Sequence, residues 1–391
     1  MCGLVGFVSK EPSNYRKNLK IAADTLLHRG PDSSGEWWSE DGKVGLAHRR
    51  LSIIDVSDNG KQPMIDQQNK NAIVLNGEIY NYLELRRVLK NKKHSFVSNS
   101  DTEVLLKAYA EWGVNCLDKL NGMFAFAIYD LKKKTLFLAR DRAGEKPLFY
   151  FENNGTLNFA SELKALMANP NVALCINRMS LDSYLAMGFV PGDHCILEGF
   201  NKLPPAHALL FNLKTGKKRI WKYWDLPDFN YSDELIDENE LLEELEILLE
   251  DGVRRQLVAD VPVGIMLSGG IDSSILTAMA VRSMNKVKTF CVSFPGYKDL
   301  DEAKHAQLIA NYFGTEHIEL EADDTSAHLL MNLAQNFDEP IVDSSMIPTF
   351  LLCQMVKRHC TVALGGDGGD ELFGGYNHYS RLLWLQNRLG W

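Results

Sequence analysis

The chain opens MCGLVGFV at residues 1–8, and how this stretch is read decides the fold of its first half. If Met1 is removed, Cys2 carries a thiol and a free α-amine on one residue. An α-amine titrates near neutrality, so part of it is unprotonated at pH 7 and can take the proton of an attacking thiol. The apolar run behind it, GLVGFV, has the length and composition of a buried strand. The alternative is an ordinary chain start leading into such a strand, and a single cysteine does not choose between the two. The rest of the sequence does.

Working outward, residues 2–210 are mostly short β-rich runs bounded by Gly, Asn and Asp: LVGFV, KVGLAHRRLSII, NAIVLNGEIYN, FAFAIYD, TLFLAR and LNFASE. Two helices are expected among them. One is YLELRRVLK. The other is DTEVLLKAYAEWG, with apolar residues at helical spacing and Gly113 as its C-cap. Many strands with few helices predict a layered α+β domain over residues 1–210. Residues 211–236 turn first basic and aromatic, then acidic, and read as a linker. A second domain is expected over 237–391. It opens with the amphipathic helix ELLEELEILLEDGVRRQL, whose glutamates form a solvated face. Strand and helix then alternate: VPVGIML, SSILTAMAVRSM, VKTFCVSF, DEAKHAQLIANYFG, HIELEA, MIPTFLLCQMVKRH and CTVALGG. That order predicts a parallel sheet covered by helices, with its ligand site beyond the carboxyl ends of the strands.

Two glycine-rich turns mark that site. VPVGIML runs into SGGIDSS (268–274), where Gly269 and Gly270 let the backbone approach a phosphate and Ser273 and Ser274 begin a helix. The lysine of the common phosphate loop of kinases and GTPases is absent. A tight strand-to-helix turn with a serine cap is the plainer alternative. The second turn, CTVALGGDGGDELFGGY (360–376), is dense in Gly and acid. Carboxylates in a phosphate site need a cation between them, so Asp272 and Asp370 are candidates for magnesium, and Asp367 for a base or an acceptor-orienting group. A flexible surface turn is the alternative here.

Composition sets the outer limits. Hydrophobic residues make up 45% of the chain and charged residues 24%, ordinary for a globular protein. A formal net charge of -9 argues against nucleic acid as the main partner. The seven cysteines form no CxxC and no zinc-like spacing, and read as reduced thiols of a cytoplasmic protein. No apolar stretch has the length of a membrane span or of a signal peptide.

Taken together, MCGLVGF, HRGPDSSG, GLAHRRLSIID, QPM, LNGEIYN, SDTEVLL, LNGMFAFAIYD and LARDRAGEKPLFY resemble a class II glutamine amidotransferase domain. SGGIDSS resembles the pyrophosphate loop of adenine nucleotide pyrophosphatases. In that order the two halves resemble the glutamine-dependent asparagine synthetases. The resemblance implies an N-terminal-nucleophile αββα domain followed by an α/β parallel-sheet domain, working as a homodimer with ATP and magnesium. It implies Cys2 as nucleophile on glutamine and Asn76 and Gly77 as oxyanion hole. Arg50 would hold the glutamine carboxylate, Asp101 its ammonium, and Leu51 and Glu78 would bind nearby. ATP would be held by Leu267, Ser268, Gly269, Gly270, Asp272, Ser273, Val292, Gly365 and Gly366, with Asp367 catalytic. Read singly, Arg50 and Asp101 could be a surface charge pair, and Asn76–Glu78 a hairpin turn.

Two departures shape the expected function. The family's synthetase domain runs well past its GGY segment, so the chain reads as a fragment whose late catalytic lysine lies beyond Trp391. DEPIVDSSMIPT (338–349), in the expected acceptor region, differs from the version in bacterial asparagine synthetases, and Asp367 stands where some members carry Glu. The leading reading is asparagine synthesis from aspartate with glutamine nitrogen through an acyl-adenylate. The alternatives are the same chemistry on another carboxylate, such as a sugar uronate, and a glutaminase or nucleotide-binding module without ligase activity.

Overall fold

The computed structural model describes residues 1–12, 16–153, 155–170, 172–228, 237–293, 302–321 and 328–389. They form two compact units, one of Met1–Tyr231 with Leu330–Ser344, the other of Ser232–Leu329 with Ser345–Trp391.

In the first unit twelve strands make two six-stranded antiparallel sheets. They are β1 (Gly3–Val8), β2 (Ser33–Trp38), β3 (Val44–Arg50), β4 (Met64–Asp66), β5 (Asn71–Ile79), β6 (Gly122–Asp130), β7 (Thr135–Arg140), β8 (Phe149–Asn153), β9 (Thr156–Ala160), β10 (Phe200–Lys202), β11 (His207–Asn212) and β12 (Lys218–Lys222). The orders are β10-β8-β9-β1-β3-β2 and β12-β11-β7-β6-β5-β4. Side-chain alternation along the strands builds the layers. Leu4, Val8 and Leu46 from one sheet and Val74, Ala125 and Leu138 from the other share one core. The opposite face of the first sheet, Val5 and Ala47, packs on Leu19 and Leu26 beside α1 (Arg16–Asp24). The second sheet is covered by α2 (Tyr82–Asn91) and α3 (Asp101–Trp112), with Tyr109 of α3 stacked on Phe137 of β7 at 5.6 Å. This is the expected αββα arrangement. Both expected helices form, and Gly113 ends α3 at φ +60. The unit also contains α4 (Leu163–Met167) and α5 (Arg178–Met187).

Two readings of the sequence change. Residues 76–78 lie inside β5, not at a hairpin turn. The stretch KRIWK, read as linker, is the strand β12, paired with β11 so that Ile220 faces Leu209 and Trp221 faces Ala208. Trp221 stacks on Phe137 at 6.1 Å, while the charged residues between suit an edge strand. The second sheet of the first unit thus extends past the expected boundary at 210, and residues 229–236 of the expected linker lie outside the described residues.

In the second unit β13 (Val263–Met266), β14 (Lys288–Ser293), β15 (Glu316–Glu321) and β16 (Val362–Leu364) form a parallel sheet in the order β15-β14-β13-β16. The chain works outward from β13 to β15 and then returns to the other side of β13. That reversal between β13 and β16 is a topological switch point, where such sheets place their ligands. The helices are α6 (Glu238–Gln256), α7 (Ile271–Ser283), α8 (Ala303–Phe313), α9 (His328–Asn336), α10 (Met346–Val356), α11 (Gly369–Phe373) and α12 (Asn377–Leu389). The unit boundary falls within α9. Among the described residues no helix is long and apolar enough to cross a membrane.

Candidate active sites

The β1–β3 ladder pairs Gly3 with Arg49 and so sets Cys2 beside the end of β3. The Leu51 amide donates to Cys2 Sγ at 3.4 Å, and the thiol donates to the Leu51 carbonyl at 3.6 Å. Arg29 Nε donates to the Cys2 carbonyl at 2.8 Å. Burial pushes the thiol pKa up; the Leu51 contact, the terminal amine and Arg50 pull it back. With Met1 in place, burial lowers the Met1 amine to about 6, with Arg29 and Lys146 adding to the shift.

The other expected residues gather around it. Asn76 is fully buried, and neither its Nδ2 nor its Oδ1 has a hydrogen-bond partner among the described residues. Buried amides are normally paired, so these atoms mark a place built for something else. Glu78 Oε1 is buried and unpartnered in the same way. Burial, and then repulsion from Asp101, raises Glu78 to about 7. Asp101 begins α3 under a Ser100 cap and accepts from the Ile79 amide at 3.0 Å, which ties α3 to the end of β5. Its carboxyl is raised by burial against that bond. Arg50 is not a surface residue: it is 5% exposed, and its guanidinium donates to the carbonyls of Ile54, Asp55 and Ser57. It anchors the loop after β3, and a substrate carboxylate would share it with those carbonyls.

Gly77 is required by its backbone. Its φ is +147, and a Cβ there would lie 2.0 Å from the Met123 carbonyl oxygen. Gly77→Ala is expected to destabilise the protein by at least about 2 kcal/mol in chemical denaturation. An unchanged midpoint would mean that β5 does not hold this conformation.

In the second unit a cleft of about 470 Å³ opens at the switch point. Of the expected nucleotide residues Leu267, Ser268, Gly270, Asp272, Ser273, Val292, Gly365 and Gly366 line it, with Asp367 and Asp370. Gly269 does not. It turns the loop at φ +85, and a Cβ there would sit 2.6 Å from His305 Cβ and 2.7 Å from the Ala306 nitrogen, so it lets the loop touch α8. The loop is braced from within. Ser268 Oγ accepts from the Gly270 amide at 3.2 Å and lies 3.0 Å from Ser273 Oγ, which donates to the Gly270 carbonyl at 3.2 Å. The start of α7 has no side-chain cap, which leaves its first amides for an anion. The GGDGG turn closes on Asp272: a Cβ on Gly369 would lie 2.6 Å from Asp272 Cγ, and one on Gly366 would lie 3.1 Å from the Ser273 nitrogen. Among the described residues no three His, Cys, Asp or Glu are placed to hold a metal. Asp272 and Asp370 in one cleft fit the mode in which magnesium takes one or two carboxylates and draws its remaining ligands from phosphates and water.

Residues 1–224 match the glutamine amidotransferase domain family and residues 244–391 the asparagine synthase family. The chain is 35% identical over 96% of its length to "Putative asparagine synthetase (glutamine-hydrolyzing) 2" of Methanocaldococcus jannaschii, of which it covers 76%. It is 37% identical over 99% of its length to asparagine synthetase (glutamine-hydrolyzing) 1 of Bacillus subtilis, of which it covers 60%. The chain belongs to the glutamine-hydrolysing asparagine synthetase family. A solved glutamine phosphoribosylpyrophosphate amidotransferase from Bacillus subtilis aligns with a TM-score of 0.44 at 15% identity, over 85% of this chain and 70% of that one.

For this asparagine synthetase family member, motif reading missed three features. Arg29, in HRGPDSSG, holds the Cys2 carbonyl. Lys146, in LARDRAGEKPLFY, is 5% exposed and acts electrostatically on both Glu78 and the Met1 amine. Both lay in quoted motifs, as cations beside Gly and Pro in segments between strands. The third had no local signal. Residues 338–344 of the expected acceptor region belong to the first unit, while Pro348, Thr349 and Leu352 of the adjoining α10 line the cleft of the second.

Proposed function

We propose that this chain releases ammonia from glutamine at Cys2 and uses it to amidate aspartate activated by ATP. The observation that carries the reading is the pair of orphaned amide atoms on Asn76, buried two residues before Glu78 on β5 and so on the same face of the strand, with Asp101 acting electrostatically on both Glu78 and Cys2. With Met1 removed, the α-amine takes the thiol proton and the sulfur attacks the amide carbon of glutamine. Asn76 Nδ2 and the Gly77 amide hold the negative oxygen that forms. Ammonia leaves with the proton returned by the amine, and water cleaves the thioester to glutamate. Arg50 and Asp101 orient the glutamine carboxylate and ammonium.

In the second unit Ser268, Gly270 and the first amides of α7 cradle the pyrophosphate end of ATP, and the strand ends at Leu267 and Val292 meet the base. Asp272 and Asp370 would hold magnesium, which neutralises phosphate charge. The acceptor carboxylate attacks the α-phosphorus, pyrophosphate leaves, and ammonia then displaces AMP from the acyl-adenylate. Asp367, which lines the cleft, would take the proton of the incoming ammonia. Among the described residues the lining carries Asp272, Glu302, Asp367, Asp370 and Glu371 and no Lys, Arg or His. That acidity suits the ammonium of an amino acid, which favours aspartate over a sugar uronate. The described cysteines are all free thiols, in keeping with the reducing cytoplasm.

The test is product formation by the purified full-length protein given glutamine, ATP, magnesium and aspartate. Asparagine with equimolar AMP is expected. AMP formed only with uronic acids would replace aspartate, and glutamate release with no ATP turnover would remove the ligase reading. Asp272→Asn is expected to lower AMP formation by about 10²-fold or more while glutamate release persists. Unchanged AMP formation would remove Asp272 from the phosphate site.

A further inference from the structure

A line of charged side chains runs from the 330–344 segment to the backbone of Cys2, all within the first unit. Asp338 begins it. Its Oδ2 accepts from the Lys164 amide at 2.7 Å, in the first turn of α4, whose own N-cap residue Glu162 makes no side-chain cap. Its Oδ1 lies 3.3 Å from Lys164 Nζ. Lys164 Nζ lies 3.1 Å from Glu162 Oε2, and Glu162 Oε1 accepts from Arg29 Nη1 at 2.7 Å. Arg29 Nε ends the line at the Cys2 carbonyl, 2.8 Å away. His28 Nε2 also reaches Glu162, at 3.0 Å.

The pairs are not ordinary surface ion pairs. Side-chain exposure is 11% for Asp338, 20% for Lys164, 14% for Glu162 and 13% for Arg29, so solvent screens them weakly. Glu162 is held at once by Lys164, Arg29 and His28, and the place it takes between them fixes where the Arg29 guanidinium sits. Arg29 in turn fixes the peptide plane that follows Cys2, and with it the direction of the Cys2 side chain. The neighbouring Glu339 strengthens the seat of the segment, pairing with Lys202 at 2.6 Å and accepting from the Ile196 amide at 2.8 Å.

We propose that Lys164 and Asp338 are positioning residues for the nucleophile, acting on Cys2 through Glu162 and Arg29. The proposal rests on the reading that Cys2 hydrolyses glutamine. It adds that a segment reaching the first unit from late in the sequence sets the rate of that hydrolysis. Neither residue touches glutamine, so the effect falls on the attack geometry and not on substrate affinity.

The experiment measures glutamate release by the full chain, with Tm recorded for every variant. Wild type against Cys2→Ala tests the underlying reading by itself; no difference between those two defeats the reading. Given a Cys2-dependent rate, Asp338→Asn and Lys164→Met are each expected to lower kcat by about three- to thirtyfold with the glutamine KM within about twofold of wild type. The double variant should lose little more than the worse single one, because both cut the same line. Asp338→Glu, which keeps the charge, should recover part of the rate. Lys164→Met keeps the proposal testable if Asp338→Asn does not fold. Unchanged kcat in the folded variants, a Tm loss with no kcat loss, or losses that multiply in the double variant would each overturn it.

Discussion

Cys2→Ala is expected to release no measurable glutamate from glutamine, a loss of at least about 10⁴-fold, while ammonia supplied as a salt still supports product formation. The size follows from the site. The thiol supplies the bond-forming sulfur, and no other cysteine shares its surroundings: Cys116 is buried and pushed up to about 12 with no cation among the causes. The ammonia arm matters because the nucleotide cleft is lined wholly by the second unit. If ammonia-dependent synthesis disappears together with glutamine use, the two sites are not separable and the division of labour proposed here fails. Glutamate released at the wild-type rate would remove Cys2 from the chemistry. Mass spectrometry of the active protein should also show Met1 absent.

Asn76→Ala is expected to lower kcat for glutamine hydrolysis by about 10²–10³-fold with little change in KM. The reasoning is electrostatic. Neither amide atom of Asn76 has a partner within the fold, so the side chain is not needed to complete the native hydrogen-bond set. Its donor is free to meet an oxygen whose charge grows only as the sulfur attacks, which strengthens the transition state more than the ground state. Removing an unpaired buried amide should cost the folded state little, so the variant should keep its Tm. A raised KM at constant kcat would make Asn76 a binding group and move the oxyanion role to the Gly77 amide and other donors.

The sequence made most of the second unit legible because its two defining loops are local. A glycine-rich turn between a buried strand and a helix has the same meaning wherever the strand lies in the sheet, and both turns came to the same cleft. In the first unit the strands of regular alternation, such as Asn71–Ile79, were equally readable. The strand at Lys218–Lys222 was not, because its lysines and arginine look like linker until Phe137 is known to lie under Trp221. At the site, Cys2, Asn76 and Asp101 could be named from motifs, but the inward use of Arg50 and the tie from Arg29 to Cys2 depend on contacts between distant positions. Gly269 shows the same limit in the nucleotide loop. A glycine in such a turn suggests phosphate, and only the approach of His305 and Ala306 shows that it serves packing.

The seat of Asp338 and Glu339 has a practical side for anyone who wants to dissect the protein. A clone ending at residue 224, where the amidotransferase family match stops, would carry Lys164 and Lys202 but neither Asp338 nor Glu339, which pair with them. The piece that sequence alignment would cut out is thus smaller than the compact unit, which also takes in residues 330–344. A faithful excision would have to restore residues 330–344 as a grafted or co-expressed peptide.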